Sequence, residues 1–189
     1  MATPVEPLIH RHRYTVQDYH RMGETGVLRH DDRVELIQGE IFDMSPIGTL
    51  HAATVKRLSK ALNRAIADQA IVSVQDPIVL DDFSEPQPDI ALLRFQNDYY
   101  ASGHPRAEDV LLIIEVADSS LRYDREIKLP LYAGHGIAHA WLVDVEAGRL
   151  TAYSQPESND YGQATPMAAL ARTALPGIPE TYVDLSKLF

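Results

Sequence analysis

LLIIEVADSSLRYDREIK, residues 111–128, sets an apolar run directly against a carboxylate. Four apolar residues lead into Glu115, and the run resumes at Val116 and Ala117. A near-continuous run of this kind predicts a strand covered on both faces. An ionised carboxylate in such surroundings is costly unless it is paired, hydrogen-bonded or bound to a metal. Whatever compensates Glu115 therefore bears on what the protein does.

Working outward, DVLLIIEVA (109–117) is the most buried-looking strand, and SEPQPDIALLR (84–94) precedes it. Pro86 and Pro88 hold that segment extended, and a strand is expected from about Asp89. Residues 121–134 read as a helix that Pro130 should kink or end. Asp124, Lys128 and Tyr132 are spaced by four and share one side of it. Upstream, HAATVKRLSKALNRAIADQA (51–70) places Val55, Leu58, Leu62, Ala65 and Ile66 on one helical face, with Lys56, Lys60 and Arg64 as a basic ridge. YTVQDYHRM (14–22) reads as a short helix with Thr15 as N-cap and Asp18 completing a capping box. RVELIQGEIFDMSP (33–46) reads as a hairpin turning at Gln38-Gly39, and AHAWLVDVEAGRLTAYS (138–154) as a second, turning near Ala147-Gly148. AIVSVQ and PIVL are expected as short strands, with one more near Thr181 to Val183. Residues 1–13, with Pro4 and Pro7, read as a loose tail, and residues 14–189 as a single domain. The order of elements predicts an α/β (α+β) fold with a mixed sheet flanked by helices, its most central strands beginning at Asp89 and ending at Glu115.

The 189 residues are 45% hydrophobic and 23% charged, ordinary for one globular domain. No apolar run is long enough to span a bilayer, and the N-terminus lacks the basic-then-apolar order of a secretory signal. A cytoplasmic location fits. With no cysteine, disulfides and thiolate metal sites are excluded. The net charge of −10 argues against a general nucleic-acid coat. Residues 1–75 hold nine Lys+Arg and nine Asp+Glu, residues 76–189 eight and eighteen, so the whole excess lies in the second part.

If the strands at Asp89 and Glu115 are neighbours, both carboxylates face one opening at the sheet edge. Two such groups repel unless a proton or a cation lies between them. Mg²⁺ takes oxygen ligands and keeps several waters, which suits metal-assisted hydrolysis of a phosphodiester. A lysine two residues after Glu115 would share its face, but position 117 is Ala; Lys128 on the following helix is the next candidate.

Pro88-Asp89, Glu115-Val116, Ser119-Ser120, Asp124, Lys128, Tyr132, Gly136, Trp141 and Val143-Asp144 form an ordered set. It resembles the signature of the PD-(D/E)XK nuclease superfamily and, more narrowly, the Uma-type restriction-endonuclease-like proteins, over residues 14 to about 153. The resemblance implies a restriction-endonuclease-like mixed sheet flanked by helices, and a DNA endonuclease dependent on Mg²⁺ or Mn²⁺. It implies Asp89 and Glu115 as metal ligands with the carbonyl of Val116, Lys128 in place of the strand lysine, and Glu35 as a third acid. Ala117, His139-Ala140-Trp141 and Pro130 depart from the pattern. A homodimer follows if each copy cuts one strand. Two other readings are a nuclease-fold binding or regulatory module without activity, and a hydrolase of other phosphate esters.

Each residue also has a plainer reading. Glu115 is a solvated strand end, Asp89 a turn residue, and Asp124 with Lys128 a surface ion pair. Glu35 pairs with Arg33, His51 caps a helix or packs in the core, Trp141 is core, and the basic ridge is a solvated face.

Overall fold

In the computed structural model, which describes residues 11–168 and 170–189, the chain enters through helix α1 (Val16–Thr25). Thr15 caps it as expected: its hydroxyl accepts the Asp18 N–H while the Asp18 carboxylate accepts the Thr15 N–H. Residues 1–10 of the expected tail, including His10, lie outside the described residues. Of its remainder, Arg11 pairs with Glu40 at 3.2 Å and Arg13 Nε donates to the Gln38 carbonyl at 2.8 Å.

Strands β1 (Val34–Ile37) and β2 (Glu40–Asp43) form the first hairpin as a separate two-stranded sheet. Gln38 and Gly39 both have positive φ, the twist a two-residue hairpin loop requires. At Gly39 a Cβ would also lie 2.6 Å from the Arg13 Cβ. Helix α2 (Thr49–Ile66) then buries Val55, Leu58, Leu62 and Ile66, the apolar face read from its spacing. Strands β3 (Ala70–Val74), β4 (Ile90–Arg94) and β5 (Val110–Ala117) follow. Next come helix α3 (Leu121–Tyr123), a π-helical turn (Asp124–Lys128) and helix α4 (Leu129–Gly134). Strands β6 (His139–Asp144), β7 (Arg149–Pro156) and β8 (Tyr161–Pro166) complete the main sheet, and β9 (Thr173–Ala174) pairs with β10 (Tyr182–Val183).

The six-stranded sheet has the order β3-β4-β5-β6-β7-β8, with β5 and β6 parallel and every other pair antiparallel. Its centre is therefore β5 and β6; β4, expected there too, stands one place from the β3 edge. β8 was not foreseen. Five of its six residues are exposed, so it carries no alternating pattern to read. PIVL joins no strand: Val79 makes only an isolated bridge, to Arg106.

Both faces of the sheet are covered, which is why all eight residues of β5 are buried. Leu112, Ile114 and Val116 pack with α2, Trp141 and the C-terminal Leu175, Ile178, Val183 and Leu185. Ile113 and Ala117 pack on the opposite face with Leu129, Tyr132, Ala133 and Ile37. Glu115, two residues inside the strand end rather than at it, belongs to this second face by alternation.

Pro130 does not end the helix. It lies in the first turn of α4, which continues the π-helical turn without a break, Lys128 and Leu129 both being helical. The preceding turn widens instead, with the Leu129 N–H reaching the Asp124 carbonyl five residues back. Such single-turn expansions occur where the regular ladder is interrupted.

Candidate active site

The antiparallel register pairs Ile90 with Ile114, which sets Asp89 opposite Glu115. The two residues also bond each other's strand. The Asp89 N–H donates to Glu115 Oε2 at 3.3 Å, and the Val116 N–H donates to Asp89 Oδ2 at 2.9 Å. Both carboxylates line one cleft of about 260 Å³ together with Glu35, His51, Asp124 and Lys128.

Glu115 is compensated chiefly by Lys128. Its Oε1 lies 2.9 Å from the Lys128 ammonium and accepts the Tyr132 hydroxyl at 2.6 Å. Tyr132 and Lys128 reach it because they share a helix side four residues apart, as their spacing predicted. Lys128 also donates to the Gln87 carbonyl at 3.1 Å and lies 3.4 Å from Glu35 Oε2. Glu35 in turn accepts the Gln87 N–H at 3.0 Å and the Tyr123 hydroxyl at 3.0 Å. The plainer pairing of Glu35 with Arg33 is not what forms; Arg33 donates to the Ser45 carbonyl. Asp124 and Lys128 are not a surface pair either. Both are buried, and Asp124 accepts the Ser120 hydroxyl at 2.6 Å.

The electrostatics follow from several acids sharing one buried ammonium. Burial pushes the Glu115 carboxyl up to about 8, against the opposing pull of Lys128. Asp124 rises to about 6, again through burial. Burial disfavours the Lys128 ammonium, but Glu115, Glu35 and Asp124 reverse this and keep it charged. Asp89 is buried too, yet stays below the ordinary carboxylate range because His51, Lys128 and the Val116 N–H favour its anion.

His51 is the residue whose place sequence reasoning misjudged. It stands in the first turn of α2 with Nε2 2.9 Å from Asp89 Oδ1. Its Nδ1 is the one buried side-chain nitrogen or oxygen among the described residues without a hydrogen-bond partner. No spacing in the sequence links residues 51 and 89; the approach is purely tertiary. Gln87 and Tyr123 were likewise missed, and Tyr132 was noted without a role. Lys60 and Arg64 of the basic ridge line a different groove, beside Tyr182 and Lys187.

The donor set fits a hard divalent cation. The carboxyls of Glu35, Asp43, Asp89, Glu115, Asp118 and Asp124 line the cleft against the permanent cations Arg33 and Lys128, leaving negative charge for a metal to neutralise. His51, whose buried Nδ1 has no partner among the described residues, also lines the cleft. A trio of ligand atoms already gathered within 4.8 Å of one another lies elsewhere, at His20, Glu85 and His104.

The family model Uma2, described as "Putative restriction endonuclease", matches residues 16–185. The chain belongs to the Uma2 family. The Uma2 match spans every residue that lines the cleft, from Arg33 to Lys128. A solved structure described as "a putative nuclease belonging to DUF820", from Anabaena variabilis, is similar in fold. It has a TM-score of 0.70 and 15% identity, covering 93% of this chain and 97% of that one. No curated protein matches the chain. Uma2 membership and this shared fold agree with the mixed sheet flanked by helices expected from the sequence. No helix among the described residues is long and apolar enough to cross a membrane.

Proposed function

We propose that this Uma2 chain is a divalent-metal-dependent endonuclease that hydrolyses DNA phosphodiester bonds. The observation that carries the reading is the meeting of Asp89, Glu115 and Lys128 in one cleft, from two strands and a helix. Asp89, Glu115 and the carbonyl of Val116 would hold Mg²⁺ or Mn²⁺. When bound, the ion acidifies a water and neutralises charge on the phosphate. The chain's own residues prepare the place. His51 and the Val116 N–H keep Asp89 ionised and oriented. Glu35 and Gln87 fix the Lys128 ammonium, which is then available to a phosphate oxygen or the attacking water. A homodimer would carry two such clefts, one for each DNA strand.

A second reading is a nuclease-fold module that binds without cleaving. It is favoured by Lys128 itself, whose ammonium already satisfies Glu115 and Glu35, and by the net charge of −10. Supercoiled plasmid incubated with Mn²⁺ separates the two. The nuclease reading expects nicking by wild type that chelator, Asp89→Asn and Glu115→Gln each abolish. Nicking that persists in both variants, or no nicking and no Mn²⁺ effect on melting temperature, overturns it.

A further inference from the structure

We propose that His20, Glu85 and His104 form a second metal site, for a zinc-type transition ion, which ties α1 to the core outside the nuclease cleft. The three residues come from separate segments: α1, the stretch before β4, and the β4–β5 loop. Each offers one ligand atom, and these atoms lie within 4.8 Å of one another. His20 Nε2 is 2.7 Å from Glu85 Oε2, and the two imidazole rings meet edge to face at 6.1 Å. Zinc–ligand bonds of ~2.0–2.1 Å put tetrahedral donors ~3.3 Å apart, so small side-chain rotations suffice. Two imidazoles and a carboxylate are a known three-residue donor set for zinc, and the exposed histidine side leaves the fourth position to water. Imidazole donors select such ions over Mg²⁺, which prefers oxygen.

Two independent observations point to a ligand here. The Glu85 side chain is only 4% exposed, and burial pushes its carboxyl up. The groups gathered on it are the imidazoles of His20, with Nε2 at 2.7 Å, and His104. Glu115, equally buried, has Lys128; Glu85 has two metal-type ligands instead. The second observation is α1 itself, which buries no residue. Its described ties to the body include the Tyr19 hydroxyl on the Val34 carbonyl at 2.9 Å and the Val16 N–H on the Asp82 carbonyl at 2.8 Å. An ion shared with Glu85 would add a strong cross-link. It would also steady the active cleft, because the Glu85 N–H bonds the Leu36 carbonyl and Gln87, two residues on, holds both Glu35 and Lys128.

The test is zinc titration of the tag-free full chain by calorimetry in excess Mg²⁺, with melting temperature as second readout. Wild type and the Asp89→Asn, Glu115→Gln double variant are expected to bind one zinc per chain and melt higher with it. His104→Ala and the volume-conserving Glu85→Gln are expected to weaken zinc binding more than about 100-fold, since even outer partners of metal ligands are worth about 10–100-fold. Three results overturn the proposal: no saturable one-to-one binding by wild type, undiminished binding by His104→Ala, or binding lost in the cleft double variant.

Discussion

The Lys128 ammonium stands 2.9 Å from Glu115 and 3.4 Å from Glu35, bridging an acid of the six-stranded sheet to an acid of the separate hairpin. All three side chains are essentially buried. Lys128→Met would leave two acids without their cation. Breaking a buried pair by removing one partner costs about 3–5 kcal/mol. Urea unfolding in chelator is expected to show a loss of that size, partly recovered by adding Glu115→Gln. Equal stability of Lys128→Met and wild type would refute the arrangement.

Stability of the metal-free protein depends on pH through Glu115. Its carboxyl titrates near 4.5 when unfolded and about 8 when folded. Between those values the native state holds the extra proton, so unfolding free energy falls as pH rises. The contribution is complete below 4.5 and lost through 8. Urea midpoints of wild type minus those of Glu115→Gln, taken in chelator across this range, are expected to decline with pH. A difference that climbs would contradict the assignment.

Tyr132→Phe removes the 2.6 Å bond to Glu115 and little else. A buried acceptor losing its donor costs about 1–3 kcal/mol. The hydroxyl favours the Glu115 anion, so the variant's pH-dependent decline should also move to higher pH. No change in either stability or that profile would show the bond to be idle.

His51→Ala deprives Asp89 Oδ1 of its 2.9 Å partner. Under the nuclease reading, loss of a residue that orients a metal ligand weakens Mn²⁺ binding by about 10–100-fold. Calorimetry of Mn²⁺ binding to His51→Ala and wild type measures this, and unchanged affinity would exclude His51 from the site.

What the sequence disclosed was mostly local. The Thr15–Asp18 cap, the Gln38-Gly39 turn and the α2 face all follow from neighbours within a few residues. The pairing of Asp89 with Glu115 was also expected, because two apolar strands each carried one acid, although Glu115 stands two residues inside its strand. Burial of Asp124 and Lys128 was not: spacing by four says that they share a side, but not that the side faces inward. His51 beside Asp89, Glu35 beneath Tyr123, and the His20, Glu85 and His104 trio depend on distant segments meeting. β8 escaped because an exposed edge strand needs no apolar alternation.

The widened turn before Pro130 makes this helix a ruler. One residue in an α-helix corresponds to about 100° of rotation. Deleting a single residue between Leu121 and Lys128 would swing Lys128 off the acids and turn its apolar neighbour Leu129 toward them. The loop joining β6 to β7 faces no such constraint. Among homologous chains, gaps should therefore collect in that loop and be purged from this helix wherever the cleft is in use.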